Sequence, residues 1–164
     1  SQSKHAEEID ALIQVEGALG RIGKDAARAE CLQRLGGIYS DQGQYADAEE
    51  CYLLSQTIFS SLDDTRSEAT LLSSLGVLYG RQDQYAESAE YFAQARIAYA
   101  LASDLEGEAK ALDALTATNV VLNRFGDAKV ACMEACEIYM RMGQPLSRIC
   151  GSIWESLQAG IFES

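Results

Sequence analysis

The chain has 164 residues, 48 % of them hydrophobic, one proline and a formal net charge of −12. That length suits one domain, the apolar share is too high for a disordered chain, and no apolar run reaches the about 18 residues that a membrane-crossing helix needs. The acidity repels nucleic acid and anionic lipid, so neither is expected as a partner, while a basic partner would be drawn in.

Ala, Leu, Glu and Gln are frequent and Val and Thr sparse, a bias toward helix. The five cysteines, Cys31, Cys51, Cys132, Cys136 and Cys150, are odd in number and contain no CxxC pair. That pattern argues against a disulfide framework or a zinc site and suits small buried hydrophobes in a reducing, cytoplasmic setting. The opening Ser1-Gln2-Ser3, with no secretory signal, reads as a piece of a longer chain.

The elements follow one another at a fixed period. A first helix is expected over 5–22. Helices over 26–42 and 45–62 follow, and their marks return forty residues later in helices over 66–82 and 85–102. Leu35-Gly36 becomes Leu75-Gly76, Tyr39 becomes Tyr79, and Gln44-Tyr45-Ala46 becomes Gln84-Tyr85-Ala86. Helices over 106–122 and 125–142 form the next unit, in which Leu112, Leu115, Phe125, Ala128 and Tyr139 keep the register. Within a unit, Leu32, Leu35 and Tyr39 mark one helical face, and Tyr45, Ala48, Tyr52, Ser55 and Phe59 mark another.

The breaks inside units fall at Gly43, Asp83 and Asn123, and those between units at Gly23, Asp63, Ser103 and Gly143. Gly, Asn and Asp tolerate the left-handed backbone that ends helices. Thr65-x-x-Glu68 and Ser103-x-x-Glu106 read as capping boxes, and Asp25 as the cap of the helix that holds Cys31. A last helix over 147–162, with Ile149, Ile153, Trp154, Leu157 and Ile161 on one face, falls off the register after Pro145; it is read as a terminal cap or a truncated unit.

Leu35-Gly36-x-x-Tyr39-x-x-x-Gly43-x-Tyr45-x-x-Ala48, repeated with Leu75-Gly76, Tyr79 and Tyr85, resembles the tetratricopeptide repeat signature. The forty-residue unit is longer than the usual about 34 residues. It is similar to the long-helix variants of kinesin light chains, LGN-type adaptors and the C-terminal arrays of signalling ATPases. The resemblance implies an all-α, right-handed superhelical solenoid of antiparallel helical hairpins. The expected divisions of this single domain are 1–24 (half repeat), 25–64, 65–104, 105–144 and 145–164 (terminal or capping helix). The third unit departs from the signature, with Thr116 at the Gly and Asn119 at the Tyr.

In such repeats the first helix of each hairpin lines a concave groove. Carried over by position, the expected partner-binding wall holds Gln33, Gly37 and Asp41, then Ser73, Val77 and Arg81, then Lys110, Asp113, Ala117 and Val121. The Lys and Asn clamp for a chaperone's acidic tail is missing from these places, as is the Asn that LGN-type repeats carry before Leu-Gly. Val77, Ala117, Val120 and Val121 would make an apolar strip suited to an amphipathic helix, or to the next turn of a longer array. The acidic run from Asp41 to Asp64 reads as a solvated face or a site for a basic peptide, and Tyr45, Tyr85 and Phe125 read as core packing.

No catalytic arrangement stands out. The lone His5 sits near the end, and neither a GxSxG elbow nor a glycine-rich phosphate loop is present. The expected function is a non-enzymatic, cytoplasmic protein–protein interaction scaffold without cofactor or metal. It would hold a protein or peptide, basic or amphipathic, in the groove. The alternative is an oligomerisation or regulatory sensor segment of a larger repeat-containing signalling protein, dimerising through exposed repeat ends.

Overall fold

The computed structural model describes residues 2–158, and side chains for residues 6–153 and 155–156. Among them the chain is all helix: α1 (Gln2–Arg21), α2 (Asp25–Asp41), α3 (Tyr45–Ser61), α4 (Thr65–Arg81), α5 (Tyr85–Leu101), α6 (Leu105–Val121), α7 (Phe125–Met142) and α8 (Arg148–Gln158). The five helices α2–α6 have 17 residues each, about 25 Å at about 1.5 Å per residue. None of the described helices is long and apolar enough to cross a membrane.

The turns explain the strict period. Gly23, Gly43, Asp63, Asp83, Ser103, Asn123 and Gly143 all have φ between 54° and 76°, at each of the breaks expected from the sequence. The residue after each one sends its N–H back to the carbonyl five positions earlier, as in Gln44 to Tyr39 (2.9 Å), Gln84 to Tyr79 (3.0 Å) and Arg124 to Asn119 (2.8 Å). This left-handed closure satisfies carbonyls that a helix end leaves open, and it reverses the chain in three residues.

Two expected caps move by one residue. Asp64 and Asp104, not Thr65 and Ser103, cap α4 and α6, accepting from the N–H of Ser67 (3.1 Å) and Gly107 (3.0 Å). Ser103 is already spent on the left-handed turn, and Thr65 is the first helical residue. Asp25 likewise begins α2, and Lys24 at the cap position makes no side-chain cap.

Each helix packs on its sequence neighbours, and α2 with α4, α4 with α6 and α6 with α8 also touch, so the first helices of successive hairpins form one wall. Close approach within hairpins depends on glycine. A Cβ on Gly36 would stand 2.5 Å from the Tyr52 ring, and one on Gly76 would stand 2.8 Å from Phe92. Apolar clusters run along the array, from Leu12, Cys31 and Leu35 at one end to Cys132, Ile138, Tyr139 and Cys150 at the other.

α8 enters through residues 144–147, a longer connection than the other turns. Ser147 caps it by accepting from the Cys150 N–H at 3.1 Å. Cys150 is fully buried and Ile153 packs on the same cluster, while Ile149 is 38 % exposed. The Trp154 and Leu157 side chains, Ile161 and the expected helix end at 162 lie outside the described residues, as does the side chain of His5. Phe125, read from the sequence as core, is 42 % exposed.

Candidate partner-binding site

The wall of first helices opens into a recess of about 330 Å³ between α4 and α6, floored by Tyr85, Ser88 and Phe92 of α5. Four of the expected groove residues meet there: Val77 and Arg81 from α4, Ala117 and Val121 from α6. The spacing of four within each helix stacks these pairs on one face. Val77 is 46 % and Val121 is 53 % exposed, unusual for valines facing the same opening. Gly76 and Gly80 complete the floor. Ser88 is buried and donates to the Gly76 carbonyl at 2.7 Å, so its hydroxyl is not offered to a ligand.

The expected residues outside the recess behave differently, and Arg81 at its edge is already paired. Arg81 lies with Nη1 2.7 Å from Asp41 Oδ1 and also donates to the Ser40 carbonyl at 3.1 Å, which joins α4 to α2. Gln33 Nε2 donates to Ser74 Oγ at 3.4 Å, and Ser73 and Gly37 are half-buried. Lys110 pairs with Glu106 on its own helix at 2.6 Å, and that hydrogen bond raises its pKa.

Asp113 is no part of an open wall. It is 8 % exposed and accepts from Tyr139 Oη (2.7 Å), Ser147 Oγ (2.7 Å) and Cys150 Sγ (2.8 Å), which bolts α7 and α8 onto α6. Burial and the Asp113 hydrogen bond push the Tyr139 hydroxyl and the Cys150 thiol up. The sequence placed Asp113 on the wall by register; with α8 off register, nothing in the pattern announced Ser147 or Cys150 as its cover.

Cys132, Cys136 and Cys150 bring their ligand atoms within 4.8 Å of one another and are the described group with a metal-binding composition. Burial raises the Cys132 thiol to about 11, and its Sγ lies 3.6 Å from the Cys150 carbonyl. A cation would have to displace these thiol protons and the donors that already occupy Asp113. All five cysteines are free.

The acidic run is partly consumed by the fold. Asp41 pairs with Arg81, Glu49 accepts from Tyr79 Oη at 2.6 Å and Asp64 caps α4, while Asp47, Glu50 and Asp63 stay exposed. A second recess, of about 420 Å³, lies on the opposite helices, between α5 and α7 over Asn119 of α6.

The sequence model of the tetratricopeptide repeat family matches residues 25–100. That match covers less than half of the chain, and the continuous hairpin array gives the described residues the fold of a tetratricopeptide-repeat solenoid. Among solved structures it is similar to BtubC (BKLC) from P. vanneervenii, at 20 % identity and TM-score 0.72, over 94 % of this chain and 62 % of that one. It thus spans less than two thirds of the BtubC chain. It is also similar to the nearly identical TPR-like repeats of a Podosopora anserina protein of kinesin light chain type, at 16 % identity and TM-score 0.67, over 88 % of this chain and 71 % of that one. The glutamine-17-to-methionine form of those repeats gives 16 % identity and TM-score 0.68, over 87 % and 70 %. At these identities the likeness shows the fold. No curated protein matches the sequence significantly.

Proposed function

We propose that the chain is a non-enzymatic protein–protein interaction scaffold that holds an amphipathic helix of a partner in the recess between α4 and α6. Tetratricopeptide repeats generally bind protein partners, and the fold supports that class of role. The observation that carries the finer reading is the exposed Val77–Val121 pair facing across the recess beside Ala117, with Arg81 at its edge. An apolar strip with a single cationic group suits a helix that presents aliphatic anchors one turn apart and an acidic residue beside them. A partly basic partner helix would also gain from the net charge of −12. Free thiols support a reducing, cytoplasmic setting.

A peptide library displayed on phage, selected against the chain and rescreened against Val77→Glu, tests this reading. Binders should hold at micromolar strength, about −8 kcal/mol, and lose about tenfold or more on the variant. Binders indifferent to Val77→Glu would place the working surface elsewhere.

A second reading, association through an end of the array, rests on α1. Ile13 and Val15 are each 48 % exposed there. A mass in light scattering that doubles with concentration and returns to monomer in Ile13→Glu supports it; a constant monomer rejects it.

A further inference from the structure

Three positions recur at the forty-residue period where each first helix meets the second helices before and after it. They are Ile9, Tyr39 and Cys51 in the first register, Glu49, Tyr79 and Tyr91 in the second, and Ala89, Asn119 and Ala131 in the third. In the first register Tyr39 packs in a cluster with Ile9 and Cys51. In the second, the Tyr79 ring stacks on Tyr91 with centroids 5.1 Å apart, and its hydroxyl donates to Glu49 at 2.6 Å. In the third, all three side chains shrink together, and Ala89, Asn119 and Ala131 line the recess of about 420 Å³ between α5 and α7.

This shrinkage is local. Elsewhere in the same hairpin, volume lost on one helix returns on the other: Gly76 beneath Phe92 becomes Thr116 at the register of Cys132, and both are fully buried. Interiors keep few voids larger than a water, so three unmatched losses at one place leave an opening of the shape just removed. The opening also holds unused polar capacity. Asn119 is 4 % exposed and its side chain lines the recess. The Nε of Arg96, which lines the recess, is buried without a hydrogen-bond acceptor: the Glu108 carboxylate stands 3.8 Å away, an ion pair beyond hydrogen-bond reach, and Nη2 of the same side chain lies 2.7 Å from Glu134. Glu90 and Arg124 stand in the lining.

We propose that this recess receives the tyrosine side chain of a partner protein. The ring sits between α5 and α7 where the Tyr79–Tyr91 pair sits one unit earlier, and the hydroxyl accepts from Arg96 Nε and bonds the Asn119 carboxamide. Ile97 and Val130, 54 % and 57 % exposed in the same lining, give apolar shoulders for the residues flanking that tyrosine, which a free phenol would leave uncovered. A second copy of this chain is not the donor, because each of its eight tyrosines is buried or half-buried. The site lies on the second helices, and its partner contact is independent of the recess between α4 and α6.

Methyl NMR of the whole chain, followed at Ala89, Val130 and Ala131, tests this with three probes: p-cresol, N-acetyl-tyrosine N-methylamide and N-acetyl-alanine N-methylamide. Both phenols should shift these methyls saturably and the alanine amide should not. Asn119→Tyr, which refills the site from within, should raise the melting temperature and weaken the response by about tenfold or more. Ala89→Leu, filling from another helix, should weaken it as well. No saturable shift with p-cresol overturns the proposal, as does a response that survives both substitutions. Binding of p-cresol without the tyrosine amide overturns the assignment to a partner side chain.

Discussion

The α4–α5 and α6–α7 hairpins share a register, yet they are stabilised differently. In α4–α5 the ring of Phe92 lies against Gly76, Tyr79 stacks on Tyr91, and the buried positions of α4 are apolar or glycine. In α6–α7 the buried set of α6 includes Asp113, Thr116, Thr118 and Asn119. Thr116 and Thr118 return their hydroxyls to the carbonyls one turn back, Leu112 (2.7 Å) and Ala114 (2.8 Å). Asp113 spends its carboxyl on α7 and α8. One hairpin is held by rings over glycine. The next trades rings for polar groups that tie it to the off-register helix behind it, and it leaves a recess where the trade is incomplete. A repeat can therefore lose its signature residues and keep its backbone when most of its buried polar groups find partners.

Substitution at the polar bolt should have the largest effect. Asp113→Ala strips the acceptor from Tyr139, Ser147 and Cys150 together and should cost about 3 kcal/mol in urea denaturation, with early amide exchange along α8. Ser73→Ala, at the same register of α4, should change little. Equal costs at the two positions would erase the distinction between the hairpins.

Gly76→Ala comes next. Its Cβ would stand 2.8 Å from Phe92, so about 2 kcal/mol should be lost by thermal or urea melting. Adding Phe92→Cys, which copies the Thr116–Cys132 pairing, should relieve the clash but leave a smaller apolar contact. If Phe92→Cys deepens the loss to the sum of the two single effects, the exchange of volume between these helices is not the reason for the glycine.

The smallest effect belongs to the caps, which the two hairpins share. Asp64→Ala and Asp104→Ala should each cost about 1 kcal/mol at neutral pH. Hydrogen bonds from Ser67 hold the Asp64 carboxyl below the usual carboxylate range. A depressed folded-state pKa means that this contribution is complete above the unfolded value of about 3.9 and fades as pH falls through the lower folded value. The penalty of Asp64→Ala should therefore vanish in strong acid, and a penalty that grows on acidification would reject the cap.

Helix positions and turns were legible in the sequence because each depends on local chemistry: a left-handed residue every twenty or so positions and an apolar face at helical spacing. The caps were misplaced by one residue because Ser103 and Asp104, like Asp64 and Thr65, are adjacent residues that both suit a helix start, and only the backbone decides which one caps. Val77, Arg81, Ala117 and Val121 could be placed on one wall by register because α4 and α6 keep it. The surroundings of Asp113 were not legible, since they depend on how α8 docks after residues 144–147. The recess over Asn119 was half-visible: Asn119 was noted as a departure, but Ala89 and Ala131 carry no signal until the helices are set side by side.

The central claim, that the first-helix wall between α4 and α6 is the working surface, is tested most directly by mapping a library-selected peptide on the chain by methyl NMR. The account predicts saturable shifts centred on Val77, Ala117 and Val121, lost with Val77→Glu. Shifts that bypass those three methyls and settle on α1 or on the outer faces of α3 and α7 would contradict it.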